Sequence, residues 1–188
     1  MNSYLPGTVI ETDTLDPDSA GRLLDGIFAA GGLVLSQICT LTGFELYTVQ
    51  NWVRRGFVSP PTAKKYSKRQ FCRLVIINML KDSMLLGDIK AMISYINGNL
   101  ADESDDTVGD DALYLYFIAM LNLIRGGDSA DVKAAAEKAT EGYVEIKRES
   151  RARICRVLEI MYFAYRSSVY RACAAETLAF CKEDGSLI

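Results

Sequence analysis

LSQICTLTGFELYTVQNWVRRGFVSPPTAKKYSKRQF, residues 35–71, is the stretch whose reading decides the fold. At its start Ile38 and Leu41 lie three apart, Ser36 is placed to cap a short helix, and Gly43 is placed to stop it. In the run that follows, Leu46, Val49, Trp52 and Val53 recur at helical spacing and are expected to turn inward together, up to a stop at Gly56. Two short amphipathic helices joined by a glycine turn form a helix-turn-helix arrangement. The opposite face of the second helix carries Tyr47, Thr48, Gln50, Asn51, Arg54 and Arg55. Amides, hydroxyls and guanidinium groups are the side chains that hydrogen-bond base edges and phosphates.

Pro60 and Pro61 forbid a helix in the next segment, and Lys64, Lys65 and Tyr66 follow on what reads as an extended loop. Two lysines and an aromatic on such a loop suit the phosphate backbone of a duplex. Ser67 is placed to cap a third helix with Phe71, Leu74, Val75 and Met79 inward. Lys68 and Arg69 sit in its first turn and Arg73 one turn later. Cations at a helix start oppose the macrodipole, by a few tenths up to about 1 kcal/mol, which points to an external anion that compensates them. LLGDIKAMISYI, residues 85–96, reads as a fourth amphipathic helix.

Charge is distributed unevenly along the chain. Residues 36–95 hold nine Lys/Arg against three Asp/Glu, a local charge of +6 within a chain whose net charge is −3. Residues 96–142 hold three against ten. A basic block between acidic ones is the usual footprint of a nucleic-acid surface. Histidine is absent and the five cysteines are scattered without a CxxC, so imidazole catalysis and the common zinc sites are excluded. No phosphate-cradling glycine loop or nucleophile motif is present, and the chain reads as a non-enzyme without cofactor or metal. The absence of a secretory pattern or a long apolar span leads to a cytoplasmic expectation and no membrane partner.

Outside the basic block, residues 1–34 read as an arm followed by a short helix. Asp16 or Asp18 caps that helix, and Leu23, Leu24, Ile27 and Phe28 share its inner face. Residues 97–111, NGNLADESDDTVGDD, read as an acidic, solvated linker between two units. Residues 112–188 read as a helical tail: one helix over 110–124, an Ala-rich one capped by Asp128 or Ser129, and a long one over 143–181. On the last, Ile146, Ile154, Val157, Met161, Tyr165, Val169, Ala172 and Phe180 form a stripe suited to a second subunit. Trp52 and Tyr95 are assigned to the core in preference to base stacking, and the tail aromatics to core or dimer packing in preference to an effector pocket.

TVQNWVRRGFV (48–58), KKYSKRQFCRL (64–74) and MLLGDIKAMI (84–93) together resemble the head of MerR-type regulators. That pattern has a Thr opening the recognition helix, two aromatics and a basic pair before a Gly, and a wing with a basic residue and a Tyr. A Leu- and Ile-rich helix and a G-x-x-L-x-x-I-like helix complete it. Within it, Gln50 stands where an Arg is usual and Asn51 replaces an aromatic. A narrower resemblance is to an uncharacterised Gram-positive bacterial family that joins such a head to an all-helical tail.

The resemblance implies an all-α fold: a MerR-like winged helix-turn-helix over 35–96, then a C-terminal helical bundle with a long final helix. It implies a DNA-binding transcriptional regulator that takes double-stranded DNA as a homodimer paired through its C-terminal helices. The DNA-facing set is then Tyr47, Thr48, Gln50, Asn51, Arg54, Arg55, Lys64, Lys65, Tyr66, Lys68, Arg69 and Arg73. The departures at Gln50 and Asn51 leave open an alternative, a helical protein–protein interaction module whose head has lost DNA binding.

Overall fold

The computed structural model describes residues 3–12, 14–100, 106–127 and 131–184. Eight helices and two small two-stranded sheets are found among them. The first sheet is a hairpin of β1 (Ser3–Tyr4) and β2 (Glu11–Thr12), where the sequence suggested only an arm. This hairpin is tied to the body. Asn78 Nδ2 donates to the Gly7 carbonyl at 2.9 Å, and the buried Tyr114 hydroxyl donates to the Pro6 carbonyl at 2.8 Å.

Helix α1 (Pro17–Phe28) begins as its cap chemistry dictates: the Asp16 carboxylate accepts the Ser19 N–H at 2.8 Å, and Pro17 occupies the first turn. Leu24 is buried, whereas Leu23 lies toward solvent. Next come β3 (Leu33–Val34), α2 (Leu35–Thr42) and α3 (Leu46–Arg54). Helix α2 starts directly off β3 with Val34 at its cap position, so Ser36 is already helical. The expected start was displaced because Leu33 and Val34 pair antiparallel with β4 (Lys65–Tyr66), a contact 31 or more residues away in sequence.

Helix α4 (Lys68–Leu80) is the centre of the molecule. Phe71, Cys72, Leu74, Val75, Ile76, Ile77, Met79 and Leu80 are all buried, so the helix is enclosed on every side beyond its first turn, with Arg73 and Asn78 as its polar exceptions. It packs against α1, α2, α5 (Leu86–Asn97), α6 (Asp110–Arg125) and α8 (Ser150–Glu183). One continuous hydrophobic cluster runs from Leu5 through α4 to Ala164, so the basic block and the tail share a core. Helix α7 (Val132–Ala139) covers α6 and α8, capped by the Asp131 carboxylate. The suggested caps Asp128 and Ser129 lie outside the described residues.

Much of the described part of 97–111 is packed against the body, although Gly98 and Asn99 are exposed. Asn97 is buried; its Nδ2 donates to the Val108 carbonyl at 2.8 Å and its Oδ1 accepts the N–H groups of Thr107 and Val108, both at 3.1 Å. Asp106 and Asp110 are buried as well.

The last helix divides in two. Ile154, Val157, Leu158, Met161 and Ala164 pack into the core, and Tyr165 meets Phe117 edge-on at 5.7 Å. From Arg171 to the end of the described residues every position except Cys181 is exposed. Ala172 and Phe180 of the predicted stripe belong to that exposed half, and Ile146 precedes the helix and is exposed. No helix among the described residues is long and apolar enough to cross a membrane.

Candidate nucleic-acid interface

The turn between α2 and α3 is made by Gly43, whose backbone is left-handed at φ 73° and closes α2 through a hydrogen bond to the Cys39 carbonyl. Below it, Phe44 and Trp52 meet edge-on at 5.0 Å, with Val49 fully buried beside them. These contacts seat one face of α3 and leave the other to solvent. Tyr47 is 71% exposed, Gln50, Arg54 and Arg55 are exposed, and Thr48 and Asn51 are half-buried. Asn51 Oδ1 accepts from Arg54 at 2.9 Å, and the Arg55 guanidinium lies 4.9 Å from the Phe57 ring. Leu46, expected inward, is 51% exposed because it occupies the first position of the helix, where the chain has not yet reached the core.

The segment after α3 returns as a hairpin. Thr62 and Lys65 face each other, with the Lys65 N–H bonded to the Thr62 carbonyl at 2.9 Å. The two residues between them, Ala63 and Lys64, are both left-handed at φ 49° and 62°. A two-residue loop with two positive φ values normally uses Asn-Gly. With Ala and Lys it carries strain on the order of 1–2 kcal/mol per residue. Lys65 and Tyr66 then pair with β3, and this packing needs Gly32: a Cβ there would meet the Tyr66 carbonyl oxygen at 3.0 Å.

Between α2, α3 and the hairpin lies an open groove of about 640 Å³. Leu35, Val53 and Pro61 give it apolar walls; Gln50, Arg54 and Lys64 line it with polar ends. The structure thus brings these three predicted residues together with a fourth, Tyr66, and Lys65 is exposed nearby on β4. A second cleft of about 820 Å³ lies between α7 and the start of α8, lined by interleaved acids and bases such as Glu137, Arg151 and Arg156.

Three predicted residues, Lys68, Arg69 and Arg73, are held by carboxylates of the chain, and a fourth, Tyr66, lines the groove while nearly buried. Tyr66 is only 3% exposed, and burial, with Cys39 nearby, pushes its hydroxyl above the ordinary range. Arg73 is 2% exposed: its Nη2 lies 2.9 Å from Asp110 Oδ2, its Nε donates to the same oxygen at 3.0 Å, and its Nη1 donates to the Leu100 carbonyl. Arg69 pairs with Asp106 and lies 3.8 Å from Asp110. Lys68 pairs with Asp25 at 2.8 Å and Asp111 at 3.4 Å. The anion implied by cations at the start of α4 is therefore internal. It is supplied by α1, α6 and the segment before α6.

One residue escaped the sequence reading altogether. Gln70 closes a reciprocal cap with Ser67, and its amide nitrogen also reaches Ser59 and Pro60 across the hairpin. The S-x-x-Q spacing of Ser67 and Gln70 was the available signal.

Residues 33–117 match the model of a family described as a domain of unknown function (DUF1836). The matched region starts at β3 and ends within α6, so it takes in the α2–α3 pair, the hairpin, α4 and the Asp110 cluster. The chain is also 30% identical over 116 residues to a Bacillus subtilis (strain 168) protein described as "Uncharacterized protein YkrK". That likeness covers 57% of this chain and 50% of the relative, so the chain spans about half the length of the curated relative it matches. No solved structure matches significantly.

Proposed function

We propose that this chain is a DNA-binding transcriptional regulator with a MerR-like winged helix-turn-helix head. In this reading α3 enters the major groove, and the hairpin is a basic wing on the phosphate backbone. The observation that carries it is the groove between α3 and the wing, flanked by Gln50, Arg54 and Lys64. Gln and Asn amides suit adenine edges, and Arg suits guanine or phosphate. Arg54, Arg55, Lys64 and Lys65 are the exposed cations of this surface. Four phosphate contacts would make log affinity fall with log salt at a slope of about −3.6 per head. The exposed end of α8, with Tyr170, Leu178 and Phe180 toward solvent, is the surface for a second copy, which would present two heads to two half-sites.

The test is selection of bound duplexes from a random pool at two salt concentrations, followed by anisotropy titration. Enrichment of a two-fold motif with the expected salt slope supports the reading. Substitution of Arg54, Arg55 and Lys65 together should abolish binding, and undiminished binding by that variant overturns the surface.

A second reading, a protein-docking module, draws on the adjacent exposed Leu46 and Tyr47 on α3. A protein partner captured through α3, with no DNA shift at low salt, favours it.

A further inference from the structure

We propose that Gln70 is the positioning residue of the wing: without touching nucleic acid, it sets where Lys64 and Lys65 meet the phosphate backbone. The inference rests on the DNA-binding reading above. Gln70 sits in the first turn of α4 with its carboxamide turned into the base of the hairpin. Its Oε1 accepts the Ser67 N–H at 2.8 Å. Its Nε2 points at three acceptors: the Ser59 carbonyl at 3.0 Å, the Ser59 hydroxyl at 2.9 Å and the Pro60 carbonyl at 3.0 Å. One side chain thus holds the residues that enter the wing and the residue that leaves it.

The need for such a clasp follows from the sequence of the wing. Pro60 and Pro61 have no N–H, so the entering strand offers acceptors and cannot build a ladder with the returning one. Only the Thr62–Lys65 bridge closes the tip, and it does so through two strained left-handed residues. A conformation of that kind persists only where its surroundings hold it. The amide of Gln70 supplies the donors that the prolines lack. The cap of α4 needs only the acceptor end of the side chain; the donor end serves the wing.

That division makes the inference testable. Gln70→Glu keeps the acceptor for Ser67 and replaces the donors with an oxygen facing two carbonyls. Gln70→Met, carried in parallel, is uncharged and removes both ends, so that either variant decides the matter if the other fails to fold. Affinity of the full chain for a random-sequence duplex is measured by fluorescence anisotropy across a salt series, with circular dichroism melting to verify folding. Lys64→Ala with Lys65→Ala should reduce the salt slope by about 1.8, since each phosphate contact contributes about 0.9. Both Gln70 variants should reduce it by a similar amount, and adding either to the double lysine variant should change it no further. A wild-type slope in both Gln70 variants overturns the positioning role and leaves DNA binding standing. A loss that recurs in the double lysine background also overturns it, because general loosening then explains the effect. Absence of salt-dependent binding by the unaltered chain overturns the DNA-binding reading and this inference with it.

Discussion

Two groups of cations lie close together in the sequence and meet opposite fates. Arg54, Arg55, Lys64 and Lys65 stand in solvent around one groove. Lys68, Arg69 and Arg73, beginning three residues later, are held by Asp25, Asp106, Asp110 and Asp111. The difference teaches that a basic stretch is a surface only where no other part of the chain supplies the counter-charge. Here α4 is the central helix, so its first turns are overlaid by α1 and the start of α6, and both bring acids. The α3–wing surface lies at the edge of the fold, and among the described residues no carboxylate pairs with its cations.

The comparison is broken most severely at Arg73. Arg73→Ala should leave Asp110 buried and without its main partner and cost about 3–5 kcal/mol. Denaturant unfolding should show this as a large drop in midpoint with little change in slope, and a shift below 1 kcal/mol would refute the buried-pair account.

A second prediction concerns pH. Burial pushes the Asp110 carboxyl above its ordinary value, against the opposing pull of Arg73 and Arg69. A carboxyl raised in the folded state stabilises fully below its unfolded value near 3.8, and that contribution is lost as pH rises through its folded value. The stability of the unaltered chain relative to Asp110→Asn should therefore increase as pH is lowered toward 3.8. A constant difference across the same acid titration would argue against it.

Asp25→Asn tests the outermost member of the cluster. The Lys68–Asp25 pair is largely exposed, so thermal unfolding should report a loss of no more than about 1 kcal/mol. Smallest of all should be the effect of Arg54→Ala with Arg55→Ala, within about 0.5 kcal/mol on stability. Under the proposed function the same variant should lose most of its DNA affinity, which would separate a cation group that holds the fold from one that binds. Comparable stability losses in both groups would erase the distinction.

Much of the local structure was legible. Asp16 and Ser67 cap where their side chains permit, Gly43 turns the chain where a left-handed residue is needed, and Val49 and Trp52 face inward as their spacing demands. The candidate surface was legible in part. Gln50, Arg54, Lys64 and the nearly buried Tyr66 meet at the groove, whereas Lys68, Arg69 and Arg73 are taken up by carboxylates of the chain. The burial of Tyr66 was not legible because the strand it pairs with, Leu33–Val34, has two residues, too short for any periodicity to reveal. Tyr95, read as core, instead lies half in solvent with its hydroxyl accepting from Arg156 of α8. The acidic segment looked solvated because composition records charge and cannot record a buried Arg 37 residues away.

Caps, turns and helical faces depend on interactions within about four residues, and the order of amino acids settles them directly. Which cations remain open to a ligand, where the acidic segment lies and how the wing is clasped depend on partners from 10 to 43 residues distant. Those contacts exist only once α4 has been enclosed by its neighbours. The physical reason is that electrostatic and burial terms act through space, so the same lysine or arginine becomes a binding group or a structural one according to what the fold packs against it.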